Sequence, residues 1–151
     1  MSLITVQLMM VKIDFTTGLI TNSSSEVFLA NTHKTVEDVE CILRDLWELY
    51  ISAKGAQKKF EDAFGDIHAI TSADLKVIAT YKDYARPRYD DYPSFAAYKA
   101  ASEKWLSDWV ADHTNEYQNR ICIYSASDNS IPYEMLDLIE DMFNGERIHL
   151  G

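Results

Sequence analysis

The chain has 151 residues, 24 of them acidic and 14 Lys or Arg, and its net charge of −10 at pH 7 removes the electrostatic attraction on which direct nucleic-acid binding depends. With 47% hydrophobic residues the chain can build a core, which excludes a disordered protein, and its length predicts a single domain. It contains no run of about 18 apolar residues, so no transmembrane helix and no membrane partner are expected.

The N-terminal third is predicted to contain two strands. Residues 1–9 are interpreted as an upstream extension or vector residues, and residues 10–151 as the single domain, because a strand with alternating apolar residues follows Met9 and Met10. This strand covers residues 11–15, and a second covers residues 26–30. We expect the two to pair as an antiparallel hairpin with a Ser-rich insertion.

The middle of the chain is predicted to be mainly helical. Thr35 caps a helix that ends at Gly55, and a shorter helix follows over residues 56–64. The capping signal of Thr71 favours another helix over residues 75–80, although a strand is the alternative. Two prolines make residues 85–93 an irregular surface loop. Ser94 then caps a long helix, whose inner face is predicted to carry Phe95, Tyr98, Ala101, Trp105, Leu106 and Trp109.

The last third predicts a strand, a helix and a strand. Residues 120–124 form the first strand, a polar loop covers residues 125–130, and Pro132 occupies the first turn of the helix. The apolar face of this helix is predicted to consist of Ile131, Met135, Leu138, Met142 and Phe143. Residues 146–150 close a right-handed βαβ unit with a parallel strand pair. The fold class is therefore α+β, one domain with about four strands and three to five helices.

The two cysteines are predicted to be buried free thiols. Cys41 and Cys122 both lie within apolar segments, where cysteine packs as a small hydrophobic residue. A chain of this size needs no disulfide, so a reducing, cytoplasmic environment is expected.

The Ser-rich stretch is the first candidate ligand site. Asn22, Ser23, Ser24 and Ser25 have small polar side chains that, with their backbone N–H groups, are able to bind an anion or phosphate. The second Gly and the Lys of a P-loop are absent, and a solvated loop is the alternative interpretation.

No catalytic or metal-ligating motif is recognised. The four histidines are scattered without the spacing of metal ligands, and no Gly-x-Ser-x-Gly elbow surrounds a serine. Paired acids are interpreted as solvated faces. We therefore expect no cofactor and favour a protein without enzymatic activity.

The Tyr- and Arg-rich loop is the second candidate site. Tyr84, Arg86, Arg88, Tyr89 and Tyr92 are crowded into a segment that should be exposed. Because Tyr and Arg are enriched in interface hot spots, this loop is a candidate surface for an unidentified protein partner. Packing of the tyrosines over the edge of the core is the alternative.

Residues 18–28 resemble a known N-terminal signature. Gly18, Asn22, Ser23, Ser24, Ser25 and Phe28 match Gly-Phe-Val-Ser-Asn-Ser-Ser-Ser-Ser-Ser-Phe, which is found in small uncharacterised proteins of phages and bacteria. Glu26 and Val27 depart from its serine run. The resemblance implies a phage or prophage origin and assigns no activity.

Two functions follow as hypotheses. The first is a phage-type accessory protein that acts by binding another protein, one version of which is a DNA mimic with acid on its first and last helices. The alternative is a small enzyme or ligand-binding domain in which residues 22–25 form an anion cradle beside residues 125–130, provided that both face one pocket.

Overall fold

The fold is taken from a computed structural model that describes residues 25–83, 85–127 and 129–150. The predicted strand over residues 11–15 and its hairpin lie outside these ranges. The chain divides into two compact units, one formed by residues up to 69 together with those from 119 onward, the other by residues 70–118. We call them the sheet unit and the helical unit. No helix in the described ranges is long and apolar enough to cross a membrane.

In the described part of the chain, the sheet unit is built on four strands with antiparallel pairing. They are β1 (Ser25–Ala30), β2 (Phe64–Ala69), β3 (Ile121–Ser125) and β4 (Gly145–Leu150), in the spatial order β2-β3-β1-β4. Phe28 of β1 lies opposite Ile123 of β3 and Arg147 of β4. The α+β class with about four strands is confirmed; β1, β3 and β4 correspond to predicted strands, whereas β2 was not predicted and the strand expected over residues 11–15 lies outside the described residues.

The helical connection from β3 to β4 is expected from the sequence to join two parallel strands that pair directly with each other. β1 runs antiparallel to both strands, so β3 and β4 are parallel to each other, as a βαβ unit requires. However, β1 lies between them, and the prediction that they pair directly is wrong. β1, which precedes both strands in the chain, thus occupies the position between them.

Among the described residues, the helices of the sheet unit are α1 (Val36–Lys54), α2 (Phe60–Ala63) and α5 (Tyr133–Phe143). As predicted, the Thr35 hydroxyl accepts a hydrogen bond from the Asp38 N–H, and Gly55 ends α1 in the left-handed region with φ 66°. Asn144 ends α5 with φ 45°. Local capping chemistry therefore sets both ends of α1.

One hydrophobic cluster of the sheet unit lies on one face of the sheet, and Val27, Leu29 and Cys122, which alternate with its strand residues, are buried as well. Val39, Leu43 and Trp47 of α1 pack in this cluster with residues of α5, and each is at most 2% exposed. Phe28 and Ile123 supply the sheet side of this cluster. The hydrophobic contact between these layers is the main favourable term for folding of the unit.

The helical unit consists of α3 (Ser72–Lys82), a 3-10 turn (Tyr89–Asp91) and α4 (Phe95–His113). A capping box starts α3, in which the Thr71 hydroxyl accepts from the Asp74 N–H and the Asp74 carboxylate accepts from the Thr71 N–H. The sequence preference for a helix over residues 75–80 is confirmed. Ser94 caps α4 by accepting a hydrogen bond from the Ala97 N–H, also as predicted.

Several sequence expectations are wrong. The helix expected over residues 56–64 is reduced to the single turn α2, and the next six residues form β2. On α5, Leu136 and Ile139 are buried, whereas Leu138 and Met142 are 44% and 47% exposed. The buried stripe is therefore rotated from the predicted one.

Two further side chains are exposed against expectation. Phe95, placed on the inner face of its helix, is 61% exposed, and Trp109 alone of that predicted face is fully buried. Cys41 is exposed on α1, although Cys122 is buried as expected. The buried stripe of α1 passes through Val39 and Leu43, and Cys41 points away from it.

Candidate functional site

Four aromatic rings form a continuous cluster at the start of α4. The ring of Tyr98 lies 5.5 Å from that of Tyr89, 6.1 Å from that of Tyr92 and 6.2 Å from that of Phe95. Tyr89 also contacts Phe95 at 6.3 Å. We call this cluster the aromatic surface, because Tyr89 is 56% and Phe95 61% exposed.

The local sequence explains why these rings converge. The 3-10 turn presents Tyr89 and ends at Tyr92, whose N–H donates to the Tyr89 carbonyl. Ser94 then starts α4, so that Phe95 and Tyr98 follow at adjacent positions on one side of its first turn. Ring edges and faces meet at tilted angles, which is the favoured geometry for aromatic pairs.

The residues predicted to bind a partner are placed around this surface. Arg86 and Arg88 are exposed, and a guanidinium N–H of Arg86 donates to the Thr80 carbonyl. Tyr89 is exposed and Tyr92 is half-buried, whereas Tyr84 lies outside the described residues. Phe95 and Tyr98 are not among the residues predicted to bind a partner, because their helical spacing assigned both to the inner face of α4.

A second feature of the helical unit is an open groove of about 420 Å³ between the end of α3 and the end of α4. Trp109, His113 and Tyr117 lie along it at intervals of four residues, with the rings of Trp109 and His113 stacked at 3.8 Å. The Lys82 ammonium donates to the Tyr117 hydroxyl at 2.7 Å. The indole N–H of Trp109 donates to the Asp83 carboxylate at 2.9 Å.

The hydrogen bond of His113 defines its tautomer. Its Nδ1 lies 2.8 Å from the Trp109 carbonyl, and since a carbonyl oxygen only accepts, Nδ1 carries a proton. In the neutral ring Nε2 is then an acceptor. Trp109 is 7% and Tyr117 2% exposed, so these two rings offer little aromatic face to a ligand in the groove. The spacing of four residues between Trp109, His113 and Tyr117 could have identified this row of side chains from the sequence. It was missed because helix α4 was expected to end before Tyr117.

The described end of the Ser-rich stretch lies beside the polar loop after β3. The Glu26 N–H donates to the Ser125 hydroxyl at 3.0 Å, so β1 begins where β3 ends. Asn22, Ser23 and Ser24 lie outside the described residues, and only the backbone of Ser25, in β1, is described. The anion cradle proposed for these residues therefore stays a prediction.

The buried carboxylate of Glu26 lies at the same end of the sheet. Glu26 is 6% exposed, and its Oε2 has no hydrogen-bond partner among the described residues. The Nδ1 atom of His149 lies 3.7 Å from that oxygen. A negative charge at this position opposes an anion, so the local electrostatics do not favour phosphate.

The hydroxyl of Ser130 stabilises the loop that follows β3. The Ser130 hydroxyl donates to the Ala63 carbonyl at 2.6 Å and accepts from the N–H groups of Ala126 and Ser127 at 3.0 and 3.1 Å. These N–H groups are thus bonded within the loop, which gives Ser130 a structural role.

Replacing Ser130 by alanine should lower the free energy of unfolding by about 1 kcal/mol, because the Ser127 N–H loses its acceptor, whereas the Ala126 N–H and the Ala63 carbonyl remain bonded to each other at 2.9 Å. Urea unfolding followed by circular dichroism measures the change. Ser127→Ala is the matched control and should stay within about 0.5 kcal/mol of wild type, since this exposed side chain makes no comparable bonds. Equal effects of the two changes would contradict the structural role of Ser130.

Comparison of the chain with protein-family models, with curated proteins and with solved structures finds no match, so its function has to be argued from its own residues.

Proposed function

We propose that the chain acts by binding another protein through the aromatic surface of Tyr89, Tyr92, Phe95 and Tyr98. The observation that carries this proposal is the exposure of two large rings in one cluster, 56% for Tyr89 and 61% for Phe95. Exposed apolar groups that are contiguous mark interaction sites, whereas isolated ones are ordinary.

The chemistry of the surface supports a protein partner. Aromatic side chains bury a large area at a small cost in conformational entropy, and the tyrosine hydroxyls supply hydrogen bonds at the rim. Arg86 and Arg88 precede the rings closely in the chain and are exposed. Tyr and Arg together are the residues most enriched among interface hot spots.

The resemblance of residues 18–28 supports a phage or prophage origin for this binding protein. On that basis we propose an accessory protein that acts in the cytoplasm of the host cell on a host or phage protein. The net charge of −10 supports a partner other than nucleic acid.

The test is affinity capture from a host-cell lysate with wild-type chain and with the double variant Tyr89→Ala/Phe95→Ala. We expect the wild type to enrich one protein or a few, and the affinity measured for the purified partner to fall about thirtyfold or more in the variant. The thermal midpoint should change little, because both rings are more than half exposed.

Tyr133→Ala is the matched control, since this tyrosine is 66% exposed on α5 in the sheet unit. It should capture the partner as the wild type does. The proposal is overturned if the double variant retains the partner, if Tyr133→Ala loses it to the same extent, or if no protein is enriched over the double variant.

A further inference from the structure

Ion pairs show which neighbouring element one side of α1 and one side of α5 face, and we call these the outer sides of the two helices. On α5, Asp137 and Glu140 pair with Arg147 of β4 at 3.7 and 2.9 Å. On α1, Arg44 pairs with Glu61 of the α2 segment at 3.0 Å, and its guanidinium lies 4.3 Å from the Phe60 ring. The outer side of α5 therefore faces β4, and that of α1 faces α2.

The opposite sides of α1 and α5, which we call the inner sides, face each other. The Lys54 ammonium at the end of α1 lies 3.3 Å from the Glu134 carboxylate at the start of α5, so the helices are antiparallel neighbours. Leu138 and Met142 follow Glu134 at intervals of four residues and continue the same row along α5.

The corresponding row of α1 lies on the side away from α2. It contains the half-buried Ile42 and Leu46 and then Leu49, which is 69% exposed. Leu49, Leu138 and Met142 thus line a strip between the two helices, and we call this strip the interhelical seam. The exposed fractions of Leu138 and Met142 are 44% and 47%.

Acidic side chains border the interhelical seam on both helices. Asp45 of α1 and Asp141 of α5 are exposed, and within the described ranges neither of them has an ion-pair partner. Asp45 precedes Leu49 by four residues, and Asp141 follows Leu138 by three, so each carboxylate lies next to an exposed apolar side chain. The seam therefore combines apolar contact area with uncompensated negative charge.

From this combination we infer that the interhelical seam is a docking site for a basic amphipathic segment of a partner protein. An amphipathic helix places its apolar residues in a groove, and Leu and Met side chains adapt to its shape. Lys and Arg beside those apolar residues pair with the bordering carboxylates. This site lies in the sheet unit and does not depend on the proposed function of the aromatic surface.

The test uses the full chain and a fluorescein-labelled synthetic peptide of about 18 residues, which is long enough to form a helix. The peptide has leucines at intervals of three and four and lysines elsewhere, and a scrambled peptide of the same composition lacks the apolar face. Fluorescence anisotropy at about 50 and 500 mM NaCl should show binding that weakens with salt. The scrambled peptide should bind at least about tenfold more weakly.

Two variants separate the apolar and electrostatic contributions. Leu138→Ser/Met142→Ser should weaken binding about tenfold, because two partly exposed apolar side chains no longer bury area against the peptide. Asp45→Asn/Asp141→Asn should weaken it severalfold and reduce its salt dependence. Glu103→Gln/Asp112→Asn, which changes two exposed acids of α4, is the charge-matched control and should bind as the wild type does.

The inference is overturned if both peptides bind equally or if Leu138→Ser/Met142→Ser binds as the wild type does. It is also overturned if the wild type sediments as a dimer that this variant loses, because a second copy is then the occupant. Tyr89→Ala/Phe95→Ala should keep full peptide affinity, so failure of the aromatic surface and failure of the seam are distinguishable.

Discussion

Replacing Gly145 by alanine should lower the free energy of unfolding by about 3 kcal/mol or more. Gly145 begins β4 opposite Ala30, and a Cβ atom there would overlap the Leu29 carbonyl oxygen and lie 3.2 Å from the Ala30 Cα. Both contacts are with backbone atoms, so no change of side-chain rotamer can relieve the overlap. β4 would have to separate from β1 and lose ladder hydrogen bonds. Urea unfolding of the purified variant measures the loss.

Gly55→Ala is the matched control for this prediction. Gly55 has φ +66°, and a Cβ there meets no atom within 4 Å, so the only cost is the left-handed conformation of an L residue. That cost is about 1 kcal/mol. If Gly145→Ala is no more destabilising than Gly55→Ala, the close approach of β4 to β1 is not as described.

Replacing Trp47 by alanine should lower the free energy of unfolding by about 4 kcal/mol, since it removes the largest buried side chain of the sheet unit. Trp47 is 2% exposed, its ring meets that of Phe64 at 6.0 Å, and its indole N–H donates to the Lys58 carbonyl at 3.1 Å. The change leaves a cavity and an unpaired carbonyl. Equilibrium unfolding in urea, with the m-value as a check on two-state behaviour, measures the effect.

Trp47→Phe separates the two contributions. The phenyl ring retains much of the volume but cannot donate to Lys58, so we expect a smaller loss of about 1–2 kcal/mol. A Trp47→Ala variant within about 1 kcal/mol of wild type would show that α1 is not anchored at this point.

The sequence predicts those elements of the fold that depend on local chemistry. Thr35, Thr71 and Ser94 each accept the N–H of the third residue after them, and this pattern can be recognised from a few adjacent residues. The strands β1, β3 and β4 are likewise predicted to within about one residue, because short runs of β-branched and aromatic residues form them.

The elements that the sequence does not predict depend on distant contacts. β2 contains Gly65, Asp66 and His68, which have low strand propensity, and it is a strand because it pairs with β3 across a register shift. The position of β1 between β3 and β4 depends on pairing between strands far apart in the chain.

The candidate sites are predicted only in part, for the same reason. Composition identifies Tyr89 and Tyr92, but periodicity alone places Phe95 inside the unit, because it cannot show how far the packed part of a helix extends. On α5 a stripe through Leu138 and Met142 fits helical spacing as well as the buried one through Leu136 and Ile139. Only the position of the sheet decides between them.

The position of β1 in the sheet has a consequence for synthesis of the chain. Ser25 pairs with Leu150, and the first described strand partner of β1 along the chain is β3, which begins at Ile121. Closing a loop of this length has a high entropic cost, and sheets with such distant pairing fold slowly. While the ribosome adds the intervening residues, β1 has neither of these neighbours, and the sheet can close only after release of the C-terminal strand. During that interval the nascent chain exposes an apolar strand with two open edges, which is the kind of segment that chaperones shield.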